Sequence, residues 1–133
     1  MIESIQQECY INYAIKKKDP SICNELNSQT KESCLAKLGM FFQDITLCKS
    51  VKDPRFKDEC FYNISVSKAD YTLCKEIMRY EEKKYLCYTE IAKRKKDPSI
   101  CAEIIEEGST FYKDQCINGA TIAKQDPTLC AKF

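Results

Sequence analysis

Ten cysteines fall in five pairs, and the two members of each pair stand fourteen positions apart. The stretches are CYINYAIKKKDPSIC from Cys9, CLAKLGMFFQDITLC from Cys34, CFYNISVSKADYTLC from Cys60, CYTEIAKRKKDPSIC from Cys87 and CINGATIAKQDPTLC from Cys116. Each has an Asp ten positions after its first cysteine, then Ser or Thr and Ile or Leu just before its second. First cysteines recur at spacings of 25, 26, 27 and 29. Self-similarity at such a period limits the fold to one supersecondary element per copy, each burying its apolar face against neighbours. The expected fold is all-α: five tandem disulfide-linked αα-hairpin repeats stacked as a short α-solenoid-like array. It is read as one repeat domain, 1–133, with units of about 1–27, 28–52, 53–79, 80–108 and 109–133.

Each copy opens on a longer helix, A. Ile5, Cys9, Tyr10, Tyr13 and Ala14 recur at steps of three and four and share a face; Cys87, Tyr88, Ile91 and Ala92 match them in the fourth copy. Five residues after each first cysteine the side chain is small: Ala14, Gly39, Ser65, Ala92, Thr121. A small residue on an apolar stripe implies close helix approach. Basic residues gather where helix A ends, at Lys16 to Lys18 and at Lys93 to Lys96, where cations answer the partial negative charge of a helix C-terminus.

Asp19, Asp44, Asp70, Asp97 and Asp126 then read as N-caps of a short helix B, each carboxylate accepting from a first-turn N–H. Pro20, Pro98 and Pro127 suit the first helical position, where no amide partner is lost. Caps explain the five Asp residues without a metal row. Leu26, Val51, Ile77, Ile104 and Phe133 follow three residues after the second cysteines. Breaks between units are expected at Asn27-Ser28, Asp53-Pro54, about 79–82, and Gly108-Ser109.

An even number of cysteines at regular spacing reads as disulfides. There is no CxxC and no His, so zinc-ribbon and zinc-finger signatures are missing. Two regular pairings remain. One closes each unit on itself: Cys9–Cys23, Cys34–Cys48, Cys60–Cys74, Cys87–Cys101 and Cys116–Cys130. The other staples helix B to the next helix A: Cys23–Cys34, Cys48–Cys60, Cys74–Cys87 and Cys101–Cys116. The second has level geometry across each break but strands Cys9 and Cys130. The first is preferred because it uses every cysteine.

Charges nearly cancel, 21 basic against 20 acidic, so net charge draws the chain to neither nucleic acid nor an anionic membrane. No apolar run approaches a membrane span of about 20 residues. MIESIQQEC lacks the basic and apolar regions of a signal peptide. Disulfides place the chain outside the cell or at its surface, as a mature domain, or else in the cytoplasm of a hyperthermophile. Asn63-Ile64-Ser65 fits a glycosylation sequon. Without His no Ser-His-Asp or Cys-His arrangement is possible, no glycine-rich phosphate loop is present, and no cofactor is implied.

The D-P-[ST]-[IL]-C pattern, with its small residue and paired cysteines, resembles the cysteine-rich helical repeats of predicted secreted or surface proteins of archaea and little-studied bacteria. More distantly it is similar to disulfide-bridged TPR-like repeat proteins, although its period is shorter than the 34 residues of those units. The resemblance covers nearly the whole chain and implies a binding or structural array without catalytic residues.

The expected function is accordingly a non-enzymatic module for protein–protein interaction or extracellular structure. Phe41, Phe42, Tyr80, Tyr85, Phe111 and Tyr112 break the pattern near the unit ends and are the candidate interface residues. Self-assembly into an extracellular filament through Cys9 and Cys130 is one alternative. A thiol–disulfide redox protein is another, though it would need a distinct low-pKa thiol. Bridges closing loops of about 15 residues contribute up to about 3 kcal/mol each, and a short helix B does not persist alone. Full reduction is therefore expected to melt or loosen the helices; unchanged far-UV circular dichroism and melting temperature after reduction would refute this.

Overall fold

The computed structural model describes residues 2–105 and 109–125. Among these, every regular element is helical and no strand occurs. Long helices are α1 (Ile2–Lys17), α2 (Ser28–Phe42), α4 (Pro54–Lys68), α5 (Glu81–Lys95) and α6 (Thr110–Lys124). Short ones alternate with them: the 3₁₀ helices η1 (Pro20–Glu25), η2 (Tyr71–Glu76) and η3 (Pro98–Glu103), and α3 (Ile45–Ser50). The chain forms two compact units, Met1–Ile64 and Ser65–Phe133, and the division falls inside α4.

One backbone joint recurs at the end of each long helix. Lys18, Gln43, Ala69, Lys96 and Gln125 take positive φ, between 51° and 58°. None is glycine, although such a conformation costs an L-residue about 1–2 kcal/mol. After the first four of these, the next amide offsets this with a bond back across the last turn. Asp19 N–H donates to Ala14 O at 3.0 Å, and at 2.9 Å Asp44 donates to Gly39 O, Asp70 to Ser65 O and Asp97 to Ala92 O. This six-to-one bond is the Schellman motif, which satisfies an orphan carbonyl at a helix end. Its acceptor is always the small residue that the sequence marks.

The same Asp then opens the short helix. Its carboxylate accepts from the amide of Ser21 at 3.0 Å, Thr46 at 2.9 Å, Thr72 at 3.1 Å or Ser99 at 3.0 Å. The hydroxyls of Ser21, Thr72 and Ser99 donate to that carboxylate too, which gives the Ser or Thr of the pattern a purpose. Asp126 lies outside the described residues. Each short helix runs six residues and ends on an extended residue, Leu26, Val51, Ile77 or Ile104. Val51, Ile77 and Ile104 are buried to within 1 %. They anchor the crossing to the next long helix.

Disulfides join Cys23 to Cys34, Cys48 to Cys60, Cys74 to Cys87 and Cys101 to Cys116, with Cα–Cα distances of 5.6 to 5.8 Å. Those are the bonds between a short helix and the next long one, and they replace the preferred closure of each unit on itself. Helix length supplies the reason. The cysteine of a long helix stands about 12 Å before that helix's end, at 1.5 Å per residue. The cysteine of the short helix that follows stands only about 6 Å past its start, at 2.0 Å per 3₁₀ residue. After an abrupt reversal the two cannot draw level. Across the other junction they do, and all eight bonded cysteines are fully buried.

Expected breaks coincide with helix starts where residues are described. Asn27 caps α2 by accepting from Thr30 N–H at 3.1 Å. Asp53 precedes Pro54, the first residue of α4, and accepts from Arg55 N–H at 3.0 Å. Tyr80 is the N-cap residue of α5, so the stretch after Cys74 is not one continuous helix. Arg94, in the last turn of α5, donates to the Val66 carbonyl at 2.8 Å. One of the expected dipole cations thus serves the end of a neighbouring helix.

Two glycines face opposite circumstances. A β-carbon on Gly39 would lie 2.8 Å from Cys60 Sγ and 3.3 Å from Cys48 Sγ; the bridge occupies the space. At Gly119 it would meet only the flexible side chain of Lys93, at 3.2 Å. Gly119→Ala is expected to stabilise the fold by about 0.5–1 kcal/mol through helix propensity. Gly39→Ala is expected to destabilise it by about 1–3 kcal/mol through overpacking, despite the same propensity gain. Urea unfolding of both variants checks this, and equal signs would refute it.

Candidate functional site

The structure separates the six aromatic residues expected at an interface. Phe41 is 63 % and Phe111 64 % exposed, and Tyr80 is exposed as well. Phe42 and Tyr112 are half-buried. Tyr85 is buried, at 4 % exposure, so it belongs to the core and not to an open surface. Its position explains this: it sits two residues before the bridged Cys87, one turn into α5, on the inward side.

Five of the six fall into two ring groups. Phe41 and Phe42, adjacent on α2, meet edge to face at 5.3 Å between centroids. On α6, Phe111 meets Tyr112 edge to face at 5.5 Å, and Tyr112 packs on Tyr85 of α5 at 4.8 Å. The Tyr112 hydroxyl donates to Glu82 at 3.0 Å. Phe111 is thus presented to solvent on a support of ring contacts and a hydrogen bond, which limits the rotamer freedom it would lose on binding.

Sequence periodicity overlooked further exposed apolar groups. Met78 is 81 % and Ile105 80 % exposed. Each follows a buried anchor, Ile77 or Ile104, and that adjacency is the signal that could have found them. Ile5 and Tyr13 were expected on the core face of α1, yet both are exposed, while Ile11 and Ala14 on the same helix are buried. Cys9, between them, is exposed and unbonded. A shallow apolar groove lined by Ile5, Gln6, Cys9, Tyr10 and Tyr13 follows this side of α1.

No group of three or more His, Cys, Asp or Glu side chains is arranged to hold a metal ion among the described residues. Lys16 to Lys18 and Lys93 to Lys96 are exposed; Lys17 lies over the Tyr13 ring at 5.7 Å and Lys95 over Tyr71 at 5.9 Å. In the sequon Asn63-Ile64-Ser65, Asn63 is exposed on α4 and Ser65 is fully buried. Among the described residues, no helix is long and apolar enough to cross a membrane.

The hydrogen bond to Glu82 holds the Tyr112 phenol above its ordinary pKa of 10.0, and loss of surrounding water and the carboxylate charge add to this. A raised acid pKa means that the folded state favours the protonated phenol. The bond's contribution is therefore present below the unfolded pKa and disappears as pH rises through the folded one. Glu82→Ala is expected to bring the phenol back toward 10.0. The readout is a phenolate absorbance titration, with Tyr112→Phe identifying the transition; a transition that Glu82→Ala leaves unmoved would sink the assignment.

Comparison with protein-family models, with curated proteins and with solved structures returned no match for this chain.

Proposed function

We propose that the chain is a non-enzymatic, disulfide-stapled helical module that binds another protein outside the cell or at its surface. The observation that carries this reading is Phe111: a large apolar side chain, 64 % exposed, on a support formed by Tyr112, Tyr85 and Glu82. Aromatic anchors fixed in the free protein are where interface energy concentrates. Four buried disulfides support the extracellular setting, because such bonds persist in oxidising compartments. They also support a rigid function, since each short helix is tied to the long helix that follows.

The array reading extends this. The same joint and the same staple recur along the sequence, and tandem units of this kind stack into surfaces that bind through residues spread over several copies. On that view the shared residues build the scaffold and the residues that differ between copies carry recognition. The resemblance to cysteine-rich surface repeats of archaea and bacteria points the same way.

Affinity capture from the extracellular and surface fraction of the source cells tests the proposal. The immobilised wild-type chain is expected to retain a protein that Phe111→Ser retains at least about tenfold more weakly. Circular dichroism and melting should not change, because the side chain is largely exposed. Equal retention by both chains would remove Phe111 as the anchor, and no retained protein at all would overturn the binding role.

A further inference from the structure

Helix α1 carries on its surface what the other long helices bury. In α2, α4, α5 and α6 the seventh residue is a fully buried cysteine, Cys34, Cys60, Cys87 or Cys116, bonded to the short helix before it. Four residues further on stand Leu38, Ile64, Ile91 and Ala120, all at 0 % exposure. The equivalents in α1 are Cys9, exposed and unbonded, and Tyr13, 52 % exposed. Ile5, one turn before Cys9, is 66 % exposed. On its other side α1 is packed normally, with Ile11 at 5 % and Ala14 at 0 %. Among the described residues no short helix is bonded to this position of α1, as one is on each of the other four.

The sequence also contains a fifth copy of the pattern that marks those covering elements. Asp126 to Cys130 reads DPTLC, like the DPSIC of η1 and η3. Among the described residues four bonds use eight of the nine cysteines, including Cys116. In each of those bonds the cysteine that ends such a pattern joins the cysteine of a long helix, and Cys9 is the long-helix cysteine among the described residues that no bond uses.

We infer that the exposed face of α1 takes the segment Asp126–Phe133 of a second copy of this chain, with Cys9 bonded to Cys130 of that copy. The contact repeats an interface already built four times within the chain. It joins unlike surfaces, so copies add head to tail and the assembly continues as a ring or filament. Bond formation needs a two-electron oxidant, here a low-molecular-weight disulfide. One thiolate attacks it, forming a mixed disulfide and releasing one thiol. The other thiolate then displaces the second, so two protein thiols become one disulfide and the oxidant leaves as two thiols.

Cys9→Ser and Cys130→Ser variants, mixed in a glutathione redox buffer, test this. Each variant alone lacks one half of the bond. The mixture is expected to give a disulfide-linked dimer that stops at two copies and yields a Cys9–Cys130 cross-linked peptide, whereas the wild-type chain gives a ladder of oligomers. Tyr13→Glu added to the Cys130→Ser chain is expected to cut dimer yield about tenfold with no change in melting. Dimers formed as readily by either variant alone, a wild-type monomer closed by its own Cys9–Cys130 bond, or no dimer in the mixture would each overturn the inference. So would a yield indifferent to Tyr13→Glu, because the face would then play no part. These variants leave Phe111 intact, so failure here and failure of the Phe111 binding reading are separately visible.

Discussion

Asp19, Asp44, Asp70 and Asp97 each close one helix and open the next. The amide completes the Schellman bond to the small residue five positions back, and the carboxylate caps the short helix two positions ahead. One residue thereby satisfies orphan groups at two helix ends. The joint has no slack: a residue added on either side would break one bond or the other. It also accounts for the left-handed residues before these four Asp, Lys18, Gln43, Ala69 and Lys96, held although none is glycine.

The rigidity of the joint explains the most regular number in the sequence. Fourteen positions separate the cysteines of every copy, and that constancy is a property of the backbone turn, not of a bond between them. The bonds cross the variable side, at sequence separations of 11, 12, 13 and 15. Each bridging cysteine keeps its place, fourth in its short helix or seventh in its long one. The segments between those helices absorb all the difference: 26–27, 51–53, 77–80 and 104–109. Surface connections tolerate such insertions, since loop closure weakens only slowly with length. Cα–Cα distances stay within 5.6 to 5.8 Å throughout.

Helical content, the capping Asp residues and the helix starts at Ser28 and Pro54 were legible because they depend on local chemistry within a few residues. Side chains that face a neighbour were legible only in part. Periodicity put Ile5, Cys9 and Tyr13 on one stripe of α1 with Ala14, but a stripe does not say whether anything covers it. Tyr85 looked like an interface residue for the converse reason, since nothing local to α5 reveals the Tyr112 ring of α6 lying against it. The pairing was misjudged because the length of a helix that turns out to be 3₁₀ decides which cysteines draw level. Gly39 had a signal, its place in a row of small residues, but the bridge that fills the space beside it is a tertiary fact.

Division of labour between joint and linker bears on function. Residues of the joint are fixed by their bonds and cannot vary without loss of a helix end. Linkers supply one anchor residue and, at Asn27 and Asp53, a cap for the next long helix, but their lengths differ from copy to copy. In the shortest, Leu26 and Asn27, no large apolar group is exposed. The longer ones hold or adjoin Met78, Tyr80, Ile105 and Phe111, all exposed. Others stand exposed on the long helices themselves: Ile5 and Tyr13 on α1, Phe41 on α2, Leu86 on α5 and Ile122 on α6. Recognition residues are therefore free to arise both in the linkers and at exposed positions of the long helices, because the joint fixes neither.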